Sequence, residues 1–382
     1  VSSASDTVRK IDTAGIITTV AGFVGPTQTG PIAQARLVSP AAMAEWRQGL
    51  IVGGGASGVA EVVVDGAVSR AFGRYPQARA TADLAYYQGR DFGDVRGVAV
   101  DGDVIYFSDA THHRIGRVNT AGAGVDPVRP QTWTLEWLTV GGTPGLVDGP
   151  LVQAQFSAPE GLLFDASTRT LYVADAGNHA IRAIDLMAET VTTVVNVAGR
   201  RGRGGDMGAA AQAQLNRPAQ LARCDNGDFF IADAGNHRVR RLAGSAVASA
   251  PGANQTAATV TAGQLRDVTV TTVLGTGVLG SAGDGSPSVD FPVADPQGLA
   301  CDAAGNLFVT STQVLRVLPS DEQGFVDGTG PVKTIYGGPS GQAFPQSESK
   351  CLSAVRVVAP LSATGPDMGH ATQVEVADAC SG

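Results

Sequence analysis

Three histidines, His113, His179 and His237, each follow an aspartate by four positions (Asp109, Asp175 and Asp233), and Asn178 and Asn236 precede two of them. Histidine and carboxylate at a fixed spacing are the groups of a zinc or calcium centre, or of an acid–base pair. Such a centre needs its ligands to converge, with zinc held at about 2.1 Å. Residues that recur at matched positions of a repeat are instead spread apart by the repeat itself. The expected role is therefore structural: imidazole hydrogen bonds fasten the turn between two strands, and the aspartates, with Asp378 as a further copy, cap those turns. His112 and His370 are isolated and fit no ligand pattern.

The elements that carry these residues are short repeated strands. An Ala-x-Leu/Phe-x-x-Pro phrase occurs at 35–40, 154–159 and 213–218, with looser copies at 92–96 and 291–296. Each leads into an apolar run closed by a turn aspartate, as at 97–101, 161–165 and 298–302. A second apolar run follows (104–109, 171–175, 229–233, 307–310), then one that alternates basic and apolar residues (114–118, 181–184, 238–242). The last is rich in Thr and Val and ends in glycine, as at 16–22, 191–199 and 270–275. Each repeat is thus a four-stranded antiparallel meander. Residues 372–382, continued into 5–12, make one unit like that found whole at 170–185. A repeat split between the two ends marks a ring closed by its own termini.

The expected fold is all-β, a six-bladed β-propeller forming a single domain over residues 1–382. Its blades span roughly 40–74, 96–142, 159–199, 218–277 and 296–338, with a sixth made of 350–382 plus 5–22. Fifty glycines and 20 prolines suit a fold of many tight turns. No apolar run approaches the ~20 residues of a membrane helix, so direct membrane insertion is not expected.

The phrases 174–182 (Ala-Asp-Ala-Gly-Asn-His-Ala-Ile-Arg) and 232–240 (Ala-Asp-Ala-Gly-Asn-His-Arg-Val-Arg) resemble the NHL repeat: a small residue and Asp, then Asn-His, an aliphatic and a basic residue. Residues 109–115 form a degenerate copy, and 376–380 running into 6–11 form the split one. The resemblance covers nearly the whole chain and implies the propeller fold. It does not imply one activity, because NHL propellers include peptide-amidating lyases, RNA-binding domains and extracellular interaction modules. Two blades depart from the pattern, with 53–58 glycine-rich and 310–314 reading Thr-Ser-Thr-Gln-Val where Asp-x-x-Asn-His is expected.

Propeller sites usually sit where the innermost strands begin. The residues there are Ala41, Arg96, Glu160, Ala219 with Gln220, and Gln297. One carboxylate, one guanidinium and some amides make neither a metal cage nor an acid–base pair. Arg96, Glu160 and Gln297 are the candidate binding spot at the channel mouth; the plainer alternative is that Glu160 and Arg96 neutralise each other. Trp133 and Trp137 lie in an excursion of the second blade, either as anchors for a partner or as cover for the blade edge.

A net charge of −8 and a pI near 5.1 argue against nucleic acid as a partner. The third-strand arginines are expected to lie along half-exposed strands and pair with acidic neighbours. Four cysteines allow three pairings. Cys351 and Cys380 fall at adjacent strand ends of the split blade and are the first expected disulfide; Cys224 with Cys301 is the second, although their registers differ by one residue. Disulfides and a sequon at Asn254 point to an extracellular or cell-surface location. A start at Val1 without an apolar leader fits a processed mature chain, and equally an excised fragment.

The expected function is that of an extracellular interaction or scaffold module, a rigid disc that binds other proteins or copies of itself within a larger assembly, with no cofactor. The alternative is a lyase- or lactonase-type propeller enzyme with calcium or zinc in its channel.

Overall fold

The computed structural model describes residues 7–11, 17–22, 30–31, 37, 40–47, 49–54, 59–64, 67–73, 92–122, 132–243, 261–280, 284–311, 314–336, 352–358 and 373–378. It is a six-bladed β-propeller. Blade one runs Ala42–Trp46, Gly49–Gly54, Val59–Val64 and Ala67–Gly73 from inside to outside. Blade two runs Val95–Asp101, Val104–Asp109, Arg114–Asn119 and Thr134–Trp137. Blade three contains Pro159–Asp165, Thr170–Asp175, Ala180–Asp185 and Thr190–Val195; blade four contains Pro218–Arg223, Phe229–Asp233, Arg238–Leu242 and Val270–Leu274. Blade five contains Pro296–Cys301, Leu307–Ser311, Val314–Leu318 and Lys333–Tyr336. Blades one and three gain a two-residue fifth strand at their outer edges, Gly30–Pro31 and Gly149–Pro150, where the chain crosses from one blade to the next.

The sixth blade closes the ring with strands from both ends. Leu352–Val358 and Gln373–Asp378 form its inner half, Thr7–Ile11 pairs with the latter, and Ile17–Ala21 lies outermost. The five backbone pairs from Thr7↔Asp378 to Ile11↔Val374 join the termini as one sheet, which leaves no open edge between first and last blades.

Alternation along each strand sends apolar side chains to both faces of a blade, so the buried clusters lie between blades. Trp46 and Phe107 mark the seam of blades one and two, Tyr106 and Leu171 the next, and Tyr172 and Ile231 the third. Phe230 and Val309, Phe308 and Val376, and Val8 and Met43 mark the other three. The innermost strands must also approach closely. A Cβ on Gly97 would lie 2.2 Å from the Glu160 carbonyl oxygen of the next blade, and one on Gly161 2.5 Å from that of Ala219. Glycine at these positions lets backbone pack on backbone around the channel.

Candidate functional site at the channel mouth

Each repeated histidine joins two blades. The Nδ1 atoms of His113, His179 and His237 accept the backbone N–H of Ala158 (2.9 Å), Arg217 (3.2 Å) and Asp295 (3.1 Å), each immediately before the first proline of the next innermost strand. The ring therefore does not fasten its own turn, as the repeat pattern suggested; it reaches the following blade. Both ends of each latch have left-handed backbone: φ is 57°, 56° and 53° at the histidines and 44°, 50° and 43° at Ala158, Arg217 and Asp295. This unusual geometry turns the amides toward the rings. Burial lowers the pKa of His179, assisted by Arg201 and Arg217.

The aspartates hold the adjacent amide within their own blade. Asp175 Oδ1 accepts Ser157 N–H at 2.7 Å and Asp233 Oδ1 accepts Asn216 N–H at 2.8 Å. In blade two, Asp109 Oδ1 takes Gly93 N–H while the Thr111 hydroxyl takes Asp94 N–H. Asn178 and Asn236 donate to Asp175 and Asp233, both at 2.8 Å, and to the carbonyls of Gly145 and Gly202. The side chain of Asp378 lies outside the described residues.

Arg117 and Arg241 lie half-buried and pair with Glu136 and Asp228, as the alternation suggested, whereas Arg182 and Arg240 turn inward. Arg182 is fully buried between Asp175 (3.0 Å) and Asp148 (2.8 Å), and Arg240 between Asp233 (3.1 Å) and Asp206. Asp148 and Asp206 also bind Thr193 and Thr272 of the outermost strands. Burial pushes the Asp175 carboxyl up to about 6, against the pull of Arg182 and its hydrogen bonds, and pushes Asp233 in the same direction. In blade two the arginine position is Gly116, and Arg114 reaches Asp109 from two residues earlier while lying 3.5 Å from the Trp137 ring centre.

The mouth itself is built by the second residues of the innermost strands and by the residues just before them. Arg96 is exposed, with Glu160 and Gln297 half-buried. Arg96 pairs with Asp94 at 3.1 Å and not with Glu160, so the expected neutralising pair is absent. The Glu160 carboxylate has no hydrogen-bond or ion-pair partner among the described residues. Burial raises its pKa, opposed by Arg96 and Arg217 and reinforced by Asp295 and Asp94. These charges come from the starts of blades two, four and five, and they meet Glu160 of blade three only across the mouth. Among the described residues no three His, Cys, Asp or Glu side chains are grouped to hold a metal ion.

The NHL repeat family matches residues 215–242, which carry the Asp233, Asn236, His237 and Arg240 cluster. Human NHL repeat-containing protein 2 is 31% identical over 148 residues, covering 37% of this chain and 18% of that protein. Protein SUPPRESSOR OF QUENCHING 1, chloroplastic, of Arabidopsis thaliana is 36% identical over 102 residues, 26% of this chain and 9% of that protein. This chain is an NHL-repeat β-propeller. It aligns with less than a fifth of the length of either relative. An auxiliary nutrient binding protein from Bacteroides thetaiotaomicron shares its shape, with a TM-score of 0.57 over 97% of this chain and 76% of that one, at 9% identity.

At the opposite end of the channel the NHL propeller is stapled by contacts that the repeat pattern did not indicate. Arg356 pairs with Glu45 across the seam of blades six and one, and Arg47 with Asp103 across one and two. Arg169 with Asp101, and Arg223 with Asp165, do the same for the next two. Between blades four and five a disulfide, Cys224–Cys301, takes their place, with Cα atoms 5.3 Å apart. The one-residue offset is absorbed because Cys224 sits in a turn, its N–H donating to Asp228 O and its carbonyl accepting from Gly227. Cys351 and Cys380, expected to form the first bridge, lie outside the described residues, as does Asn254.

Of the two roles expected of the tryptophans, the packing corresponds to cover for the blade edge. Trp133 is fully buried at the seam of blades one and two, edge-to-face with Trp46 at 5.2 Å. Trp137 packs on Phe92 and Phe107 at 5.6 and 5.3 Å and is covered by Arg114. Their aromatic area closes the blade edge, packed with Trp46, Phe92 and Phe107 at the seam of blades one and two.

Proposed function

We propose that this NHL propeller is a binding module whose channel-mouth face contacts another protein, with Glu160 as the central acidic contact. The observation that supports this reading is the contrast between Glu160 and the polar groups that recur in the repeat. His113, His179, His237, Asp175, Asp233, Arg182 and Arg240 are all committed to bonds within or between blades. Glu160 is not, although it sits half-buried among charges from three other blades. A carboxylate held without a partner suits a basic side chain or an amino group brought by the ligand, and desolvation on docking would strengthen that pairing.

In this reading the protein acts by contact, without a metal or other cofactor, on a protein partner and not on nucleic acid. The Cys224–Cys301 bridge supports an extracellular or cell-surface setting, where disulfides persist. Cross-linked partners recovered with wild-type protein should be lost with Glu160→Gln and kept with Arg47→Ala, which changes the opposite channel end. Equal recovery with both variants would overturn the assignment of the face. Stoichiometric calcium or zinc retained through dialysis would instead favour a propeller enzyme.

A further inference from the structure

Blade five keeps the buried arginine of the repeat but lacks one of its two acids. Arg316 is 1% exposed and stands over Phe291 at 4.8 Å, as Arg182 stands over Phe156 at 4.7 Å. Asp284 binds Thr334 through both N–H (2.9 Å) and hydroxyl (2.7 Å), as Asp148 binds Thr193 in blade three. The residue that matches Asp175 and Asp233, however, is Ser311, whose hydroxyl accepts Arg316 Nη1 at 2.8 Å. Arg316 Nε and Nη2 are buried with no acceptor among the described residues. Arg182 leaves Nε alone in that state, and Arg240 donates Nε to Asp233 at 3.1 Å.

Two N–H groups on one edge of a planar guanidinium converge on a single acceptor position. In blade four a carboxylate oxygen occupies that side of the arginine; in blade five the serine is both shorter and neutral. A buried cation short of acceptors is costly to fold unless something supplies both charge and lone pairs. Asp284 contributes charge nearby, but its oxygens are engaged by Thr334.

We propose that a small monovalent anion of the halide class, chloride in ordinary buffers, binds in blade five against the Nε–Nη2 edge of Arg316, replacing the carboxylate that Ser311 lacks. Its size distinguishes it from phosphate or sulfate, because the position is one that a single carboxylate oxygen fills in the sister blade. Water could satisfy the two donors but not the charge, and the two cases differ in the salt they respond to.

Thermal unfolding in chloride and in gluconate at equal ionic strength separates them. The wild-type chain should gain a saturable rise in Tm with chloride or bromide, on the order of a few degrees. Ser311→Asp should lose that rise and melt in gluconate near the wild-type value in chloride. A linear, non-saturating salt effect, or the same saturable rise in Ser311→Asp, would overturn the site. Bromide-soaked wild-type crystals give a reading that does not depend on the variant folding. An anomalous peak beside Arg316 Nε and Nη2 is expected; its absence at saturating bromide would refute the proposal.

Discussion

Asp175→Ser would rebuild in blade three what blade five has by nature, and its cost follows from the bonds removed. Asp175 accepts Ser157 N–H, Asn178 Nδ2 and Arg182 Nη1, and both Asp175 and Arg182 are fully buried. Removing one partner of a buried pair costs about 3–5 kcal/mol, because the other charge is left uncompensated. A serine hydroxyl can keep one bond to the guanidinium, as Ser311 does with Arg316, and returns about 1 kcal/mol. Asp148 still holds Nη2, so the charge is not wholly stranded. The net expectation is a loss of about 3 kcal/mol in urea unfolding at pH 7, with the slope unchanged. If the stranded arginine is the main cost, adding Arg182→Met should relieve it, and the double variant should be more stable than the sum of the singles by over ~1 kcal/mol. A single-variant loss under ~1 kcal/mol, or plain additivity, would refute the account.

Three further outcomes follow from the same contacts. Breaking the Cys224–Cys301 bridge with Cys224→Ser should lower stability by about 4 kcal/mol, from a closed loop of 77 residues, and reductant should then have no further effect on that seam. Glu160 has its pKa raised by burial, so the folded state keeps a proton that the unfolded chain gives up near 4.5, and stability falls as pH rises above that value. Glu160→Gln should therefore be more stable than wild type at pH 7, with the difference closing toward pH 4; a less stable variant at pH 7 would show a hidden partner. His179 has its pKa lowered, so the unfolded chain takes up a proton first and stability drops as pH falls below 6.5. His179→Ala, which also loses the latch to Arg217 and about 1 kcal/mol, should flatten that part of the profile.

The split repeat made the ring and its closure legible, since period-2 runs and turn residues are local signals. The structural duty of the Asp-x-x-Asn-His phrase was legible too, from its recurrence, but not its partner. His179 meets Arg217 only after the chain has crossed to the next blade, and no spacing within one repeat encodes that contact. The rim of ion pairs escaped notice for the same reason: Arg47 and Asp103, or Arg169 and Asp101, are turn residues of different blades. Arg182 and Arg240 escape the alternation rule, because a basic–apolar alternation ordinarily marks a solvent face. Here the second face of a strand packs on a neighbouring blade, and Asp148 and Asp206, supplied by the crossing segments, compensate the buried charge.

Where three seams carry histidine latches at the mouth and five carry an ion pair or a disulfide at the other end, a buried charged group short of partners stands out. Among the described residues Arg316 and Glu160 depart from this, and they depart differently. Arg316 is sealed inside blade five, so whatever completes it must be small enough to be enclosed as the blade folds. Glu160 is half-buried at an open mouth, with Arg96 turned to Asp94 instead, so whatever completes it can arrive after folding and leave again. A local violation of polar satisfaction that is reachable from solvent is the kind expected where function is placed at the expense of stability. The stability gain predicted for Glu160→Gln and the partner loss predicted for the same variant are therefore two measurements of one trade. Finding the first without the second would leave Glu160 a cost to folding and move the binding surface elsewhere on the ring.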